Sequence, residues 1–326
     1  MRALSCVALL VLGGWAQPAG AQTALPQDVP NAAPNQWFTG SLEAPSPALP
    51  KAGMLAIEPY VVWQADTGTY GDNGHRTTGG NQPDTLEALL VIKYGITNRL
   101  TIQALPALSH TWDGAAHSTG AGFGDLPLEL EYRLRDGNYR NGAPSITLDL
   151  GVTVPSGAYK HLSNSLNGVG QGAWLLKQGI VLQSLFDTAG NHPVRIRVYA
   201  SMFEPLTHPS VEDVSVYGTT QGFAGKVAPG VSGQAGIGGG WALDRHWVFA
   251  LDLVHTAGDR YRLTGIDGLG TPVKTLGADT SSTALAPAVE YNWSADAGVI
   301  AGVEFTAAGR NTPSYVAPQV AVAISF

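Results

Sequence analysis

The final eleven residues, VAPQVAVAISF (316–326), constrain this chain more than any other stretch. Val316, Pro318, Val320, Val322, Ile324 and Phe326 alternate with small or polar residues, and the chain stops on an aromatic. A period of two places every second side chain on one face of a strand. The segment is therefore read as a strand with one apolar face.

The same signature recurs upstream. From residue 53 onward twelve strand candidates can be drawn, at approximately 54–66, 85–95, 99–110, 125–134, 144–154, 173–186, 194–204, 230–243, 247–258, 283–292, 297–307 and 316–326. Most are long enough to cross a bilayer at a tilt. The intervening segments alternate in length. Long ones (67–84, 111–124, 155–172, 205–229, 259–282, 308–315) follow odd-numbered strands, and short ones (96–98, 135–143, 187–193, 244–246, 293–296) follow even-numbered strands. Long outer loops and short periplasmic turns are the rhythm of a membrane barrel, and a Greek-key sandwich has no reason to keep it. The even strand count returns both ends to one side.

Composition matters where it excludes alternatives. No apolar run after residue 21 approaches the length of a membrane helix. Charged residues make up 13% of the chain, against a usual quarter, and glycine is abundant at 41 residues. A closed barrel is the remaining way into lipid, because it satisfies every backbone polar group internally. The formal net charge of −7 argues against a nucleic-acid partner. Residues 1–21 read as a secretory signal, with Arg2, an apolar stretch from Ala3 to Gly14, and small residues Ala19-Gly20-Ala21 before the cut. The single cysteine, Cys6, lies inside it. The exported chain would carry no disulfide, no cysteine nucleophile and no cysteine ligand. Residues 22–52 hold Pro26, Pro30, Pro34, Pro45, Pro47 and Pro50, which exclude a regular helix or central strand. This extended segment is expected either to stay in the periplasm as a loose tail or to tuck into the barrel, with Trp37 and Phe38 as anchors. The domain reading is thus signal peptide 1–21, proline-rich segment 22–52, barrel 53–326.

Alternation separates a greasy from a wet face. Leu126, Leu128, Leu130, Tyr132 and Leu134 oppose Asp125, Glu129, Glu131 and Arg133; Val194, Ile196 and Val198 oppose Arg195 and Arg197. In a single-layer barrel the greasy face meets lipid. The 173–186 candidate is poorly phased at Gln178 and Ser184, and a bulge is expected there. Aromatics gather near strand ends in two bands, Tyr94, Tyr132, Phe186, Trp241, Trp247, Tyr291, Trp293 and Phe326 on one side and Trp63, Trp112, Trp174, Phe203 and Phe305 on the other. Pro59, Pro106, Pro287 and Pro318 fall inside strands, where each removes a ladder donor. Bulges or a loose seam between the first and last strands are the expected accommodation.

The wet face supplies the candidate lumen residues: Glu58, Glu87, Lys93, Glu129, Glu131, Arg133, Asp149, Lys177, Arg195, Arg197, Asp252, Glu290 and Glu304. They can select solutes through a local field or fill the barrel with ion pairs. Glu129 and Glu131 share a face about 7 Å apart, and nearby arginines are expected to neutralise them. His161, Ser163 and Asn164 raise an alternative, lipid hydrolysis at the outer rim, but a nucleophile needs a base and an orienting group in set geometry. A structural or adhesion barrel with partner-binding outer loops is the other alternative. The outer-loop histidines match no ligand spacing. The run Gly233, Gly236, Gly238, Gly239, Gly240 lacks the following helix a phosphate cradle needs, and reads as close packing or a kink. No cofactor, metal or catalytic residue is assigned.

Taken in order, LPKAG (49–53), IEPY (57–60), YGITNRL (94–100), GFGDLPLELEYRL (122–134) and PSGAYKHL (155–162) resemble the outer-membrane proteins grouped as the MetA-pathway of phenol degradation family. The likeness runs through nearly the whole exported chain. It implies an outer-membrane barrel and the passage or binding of small, often hydrophobic or aromatic solutes, and it assigns no residue a function. The last strand also resembles the closing strand of outer-membrane barrels, which implies that Phe326 is part of the signal read by the assembly machinery. Outer-membrane lipid, that machinery and a small solute are the implied partners.

Overall fold

The computed structural model describes residues 36–45, 47–79, 82–188, 190 and 192–326; the signal segment 1–21 and residues 22–35 lie outside the described residues. Twelve long antiparallel strands close on themselves. They are β1 (Leu55–Tyr70), β2 (Asp84–Thr97), β3 in two pieces (Leu100–Ala104 and Ala107–Asp113), β4 (Leu126–Arg135), β5 (Ser145–Val154) and β6 (Leu175–Phe186). The second half holds β7 (Val194–Pro205), β8 (Ser232–Ala242), β9 (Trp247–Gly258), β10 (Thr280–Asn292), β11 (Ala297–Arg310) and β12 (Thr312–Ser325). Each strand pairs with its sequence neighbours, and β1 pairs with both β2 and β12. Among the described residues the twelve barrel strands form a closed ring, which is how a sheet survives in hydrocarbon.

The side chains are distributed inside out. Leu130, Leu148, Leu150, Ile237, Leu251 and Leu253 are exposed on the outer wall, while Glu58, Lys93, Glu290 and Asp252 are fully buried within. Tyr94, Tyr132, Trp241, Trp247 and Trp293 stay close to half exposed beside the short turns. Trp247 and Tyr291 meet with ring centroids 4.7 Å apart. Trp63 and Trp174 occupy the opposite rim. A chain with water outside would place these sets the other way round.

Several local expectations are corrected. β6 contains no bulge: its register with β5 and β7 is unbroken, and Gln178 lies opposite Leu150 and Met202 on the outer wall. The β1–β12 seam is not loose; it is paired from Ala56↔Ser325 to Tyr70↔Thr312, with one irregularity between Asp66 and Gly68. Pro106 is accommodated by interrupting β3 instead. The last outer loop, expected over 308–315, contracts to a turn at Asn311, which adopts a left-handed φ of 49°. The two longest outer segments are not plain loops. Ser210–Glu212, Ala224–Ala228, Arg262–Ile266 and Pro272–Leu276 form a four-stranded sheet beyond the barrel, in the same order as the strands they extend. Val211, Tyr217, Phe223, Val227, Tyr261 and Leu263 make its own small core.

Residues 36–45 and 47–52 enter the lumen. Trp37 packs edge-on against His246 and under the Arg245 guanidinium, beside a short turn. Leu42 lies fully buried among Tyr60, Leu89, Val91 and Ile300, and Ala44 meets Val181 and Tyr199. The chain then returns to the same rim, where Ala52 N–H donates to Asn98 Oδ1 at 3.0 Å. Glycines on the inner wall make the room. A Cβ on Gly238 would strike Ala44 and Asp252; one on Gly302 would strike Leu42. The glycine run of β8 is thus close packing around this segment and the ring of Tyr199.

Candidate functional site: a charged lumen threaded by residues 36–52

The alternation that greases the outer wall turns every second residue of each strand inward, and many of these are ionisable. On the β2–β6 side, Lys93 Nζ donates to both carboxylate oxygens of Glu131 at 2.7 Å, with the lysine fully buried. Lys177 Nζ does the same to Glu129, which also accepts from Gln103 Nε2 at 3.0 Å. The neutralising groups of this carboxylate pair are therefore lysines, not the arginines expected from sequence. Their aliphatic stems reach across one intervening strand. Asp149 stands directly opposite Glu131 in register, and its Oδ1 has no hydrogen-bond partner. Nearby, Glu87 accepts from Ser109 Oγ at 3.1 Å.

The β7–β12 side is organised around the N-terminal segment. Arg195 Nη2 donates to Glu290 Oε1 at 2.7 Å and to the Gly40 carbonyl at 2.9 Å. Phe38 covers this guanidinium, its ring centroid 4.6 Å away. Glu290 Oε2 accepts the Thr39 N–H at 2.8 Å. Arg197 donates to the Ala44 carbonyl at 3.0 Å and to Gln183 Oε1 at 2.7 Å. Asp252 Oδ2 accepts the Glu43 N–H at 2.9 Å, and Glu43 Oε1 accepts from Gln319 Nε2 at 2.8 Å. Arg133 donates to the Pro47 carbonyl and, at 3.2 Å, to Thr147 Oγ1. A proline-rich chain makes few hydrogen bonds to itself, so its carbonyls remain open to cationic donors from the wall. Two further carboxylates are held by phenols: Tyr60 O–H donates to Glu58 at 3.0 Å, and Tyr315 O–H to Glu304 at 2.9 Å.

All thirteen lumen candidates thus sit on inward-facing positions. Glu43, Gln103, Gln183, Gln319, Tyr60 and Tyr315 belong to the same network and were not singled out from sequence. The wall residues among them share the inward alternation; Glu43 carries no periodic signal at all. Phe326 closes the barrel through its backbone: its N–H donates to the Leu55 carbonyl at 2.8 Å, and its ring is exposed.

The hydrolase alternative finds no assembled triad. His161 is held by Glu212 and Asp213, with Nε2 at 2.9 Å from Glu212 and Nδ1 at 2.7 Å from Asp213. Ser163 Oγ instead accepts from Asn167 Nδ2 at 3.1 Å, and Asn164 Nδ2 donates to the His117 carbonyl.

No family model matches the chain, and no curated protein sequence matches it. Solved structures do. The COG4313 outer membrane channel from Pseudomonas putida F1 is similar at a TM-score of 0.60 and 19% identity, covering 86% of this chain and 97% of that one. The NanC porin (TM-score 0.42, 10% identity, 82% and 98% covered) and a TodX monoaromatic hydrocarbon channel deltaS2 mutant (0.40, 12%, 94% and 95%) are more remote. At these identities the likeness speaks to fold, and at a TM-score above 0.5 the first carries it: the chain has the fold of an outer-membrane β-barrel.

Proposed function

We propose that this chain is an outer-membrane channel that passes small solutes without chemical conversion. The single observation that carries the reading is the inside-out wall: apolar side chains exposed outside and ionisable side chains buried inside. A structural pin has no need to desolvate so many charges, since well-packed apolar residues would serve as well or better. The thirteen lumen residues set selectivity in this reading, and the segment 36–52 narrows the passage between them. The resemblance to the MetA-pathway of phenol degradation family supports hydrophobic or aromatic solutes as the class handled. Residues 1–21 direct export, and β12 with the Phe326 that follows it is the signal for assembly into the outer membrane. The fold shared with the COG4313 outer membrane channel supports the same placement.

Purified, refolded protein in planar bilayers tests the reading, together with swelling of proteoliposomes in small neutral solutes. Stepwise conductance and solute entry are expected. Correctly folded barrels that give neither would refute it.

A further inference from the structure

The sheet beyond the barrel has two unlike faces. On one, Val211, Val227 and Leu263 are buried with Tyr159 and Val216, which come from the segments after β5 and β7. Tyr217 O–H ties this side to the Gln171 carbonyl at 2.7 Å. The alternate residues of the same strands make the other face, and register sets them in rows. Ala228, Arg262 and Leu276 form the row nearest the barrel. Ser210, Lys226, Thr264 and Lys274 form the next, and Glu212, Ala224, Ile266 and Pro272 the outermost. Lys226, Arg262 and Lys274 are all exposed. Strands lie about 4.8 Å apart and diagonal neighbours about 7–8 Å, so the three cations mark a triangle about 7–10 Å on a side.

The carboxylates nearby are engaged elsewhere. Glu212, the acid in these rows, is held by Lys160 and His161, each at 2.9 Å, and Asp279 is paired with Arg260. Asp267, at the hairpin tip, accepts the Leu269 and Thr271 N–H groups. Among the described residues no ion pair includes Lys226, Arg262 or Lys274. In a chain of net charge −7, this is a cluster of like charge without its counter-charge. Its level is a second observation. Arg262 lies just past Gly258, the last residue of β9, and Leu276 just before Thr280, the first of β10. The cluster therefore stands immediately outside the rim marked by Trp63 and Trp174, at the level of the outer-leaflet headgroups. Ile266 and Leu276, 51% and 53% exposed, give it an apolar border suited to an amphiphile.

We infer that this face binds the phosphorylated headgroup of an outer-leaflet glycolipid. The planar Arg262 fork takes one phosphate through paired N–H bonds, and Lys226 and Lys274 act as point charges for a second. The Thr264 hydroxyl, between the two lysines, is a neutral donor in the same row. The inference needs the outer-membrane placement and not the passage of any solute, so it stands or falls apart from the channel reading.

Full-length protein in neutral detergent micelles, titrated with diphosphorylated lipid A and with its dephosphorylated form, tests it, with bound lipid counted by native mass spectrometry. Phosphatidylglycerol and inorganic phosphate serve as competitors. The diphosphorylated form is expected to bind at least about tenfold more tightly than the dephosphorylated one. The triple variant Lys226→Gln/Arg262→Gln/Lys274→Gln is expected to lose at least about tenfold, and Arg140→Gln, on a short turn at the opposite rim, to lose nothing. Heat-modifiable gel mobility shows which variants are folded, and the wild-type comparison decides whether phosphate is read even where one is not. Equal binding of the two lipid A forms overturns the inference. Displacement by inorganic phosphate or by phosphatidylglycerol at the concentrations at which lipid A itself binds overturns the glycolipid as occupant, leaving a free-anion site or a general anionic surface. A folded triple variant that binds like wild type, or an equal loss in Arg140→Gln, overturns the assignment to this face.

Discussion

Replacing Leu150 by arginine tests the premise that hydrocarbon lies outside this wall. Leu150 occupies the middle of β5, between Leu130 of β4 and Gln178 of β6, and about half of its surface (54%) is exposed. Leu269, at the tip of the outer hairpin joining Arg262–Ile266 to Pro272–Leu276, is 93% exposed. By accessibility alone Leu269 is the more solvent-facing, and in water neither substitution should cost more than about 0.5 kcal/mol. If β5 spans lipid, an arginine near the midplane costs about 2–4 kcal/mol, because the guanidinium must be desolvated or must drag water inward. Three kcal/mol is on the order of a hundredfold in the folding equilibrium. Reversible denaturant unfolding in phospholipid vesicles, followed by tryptophan fluorescence, measures it. The expected result is a large loss for Leu150→Arg and essentially none for Leu269→Arg. Equal, small effects at the two sites would refute the membrane-spanning wall.

Three further outcomes are expected. Lys93→Met removes the two 2.7 Å bonds to the Glu131 carboxylate and should cost about 3–5 kcal/mol, while Lys93→Met/Glu131→Leu should recover most of it; strictly additive losses in the same unfolding assay would show that the pair is not coupled. Gly238→Val crowds Ala44 and Ser41 of the inserted segment, along with the Asp252 side chain, so residues 36–45 should become cleavable by added protease in folded barrels at a site resistant in wild type. The outer loops should loosen in acid. The Gly222 N–H and then His161 hold the Asp213 carboxyl below its usual range, and Lys160 does the same for Glu212. Groups depressed on folding contribute stability that is present above the ordinary carboxylate pKa of about 4 and lost as pH falls through their lower folded values. The protection factors (exchange relative to the intrinsic rate at each pH) of the Leu162 and Val216 amides, whose N–H groups donate across this loop junction to Val214 and Tyr159, should therefore fall below about pH 4 and stay flat between pH 5 and 7. Protection that stays flat into strong acid would exclude the ionic clamp.

The limits of sequence reading follow from which interactions are local. Alternation along β4, β5 and β7 is enforced by two solvents on two faces of one strand, so each strand declares its orientation without its neighbours. The partners of the charges it turns inward are not local. Lys93 and Glu131 are 38 residues apart, and Arg195 and Glu290 are 95 apart. Strand register decides such pairs, and register depends on where every turn falls. Sequence spacing therefore pointed to arginines for Glu129 and Glu131 where lysines from β2 and β6 arrive. Gln178 and Ser184 looked misphased because a polar residue on a lipid-facing wall breaks the pattern without breaking the strand.

What the sequence determined by itself is the wall: twelve strands, their greasy and wet faces, and the short-turn and long-loop sides. Each follows from a period-two pattern that a bilayer imposes residue by residue. Tertiary structure decided the contents of the wall and what lies beyond it. Residues 36–52 have no periodicity to announce where they go, and 36–45 and 47–52 lie in the lumen because cationic side chains from β4 and β7 reach their open carbonyls while Gly238 and Gly302 leave space for Ala44 and Leu42. The outer sheet likewise needs Val211, Val227 and Leu263 from separate loops to meet before any of them is buried. Patterns set by solvent are written in one dimension; contacts set by packing exist after the chain has closed.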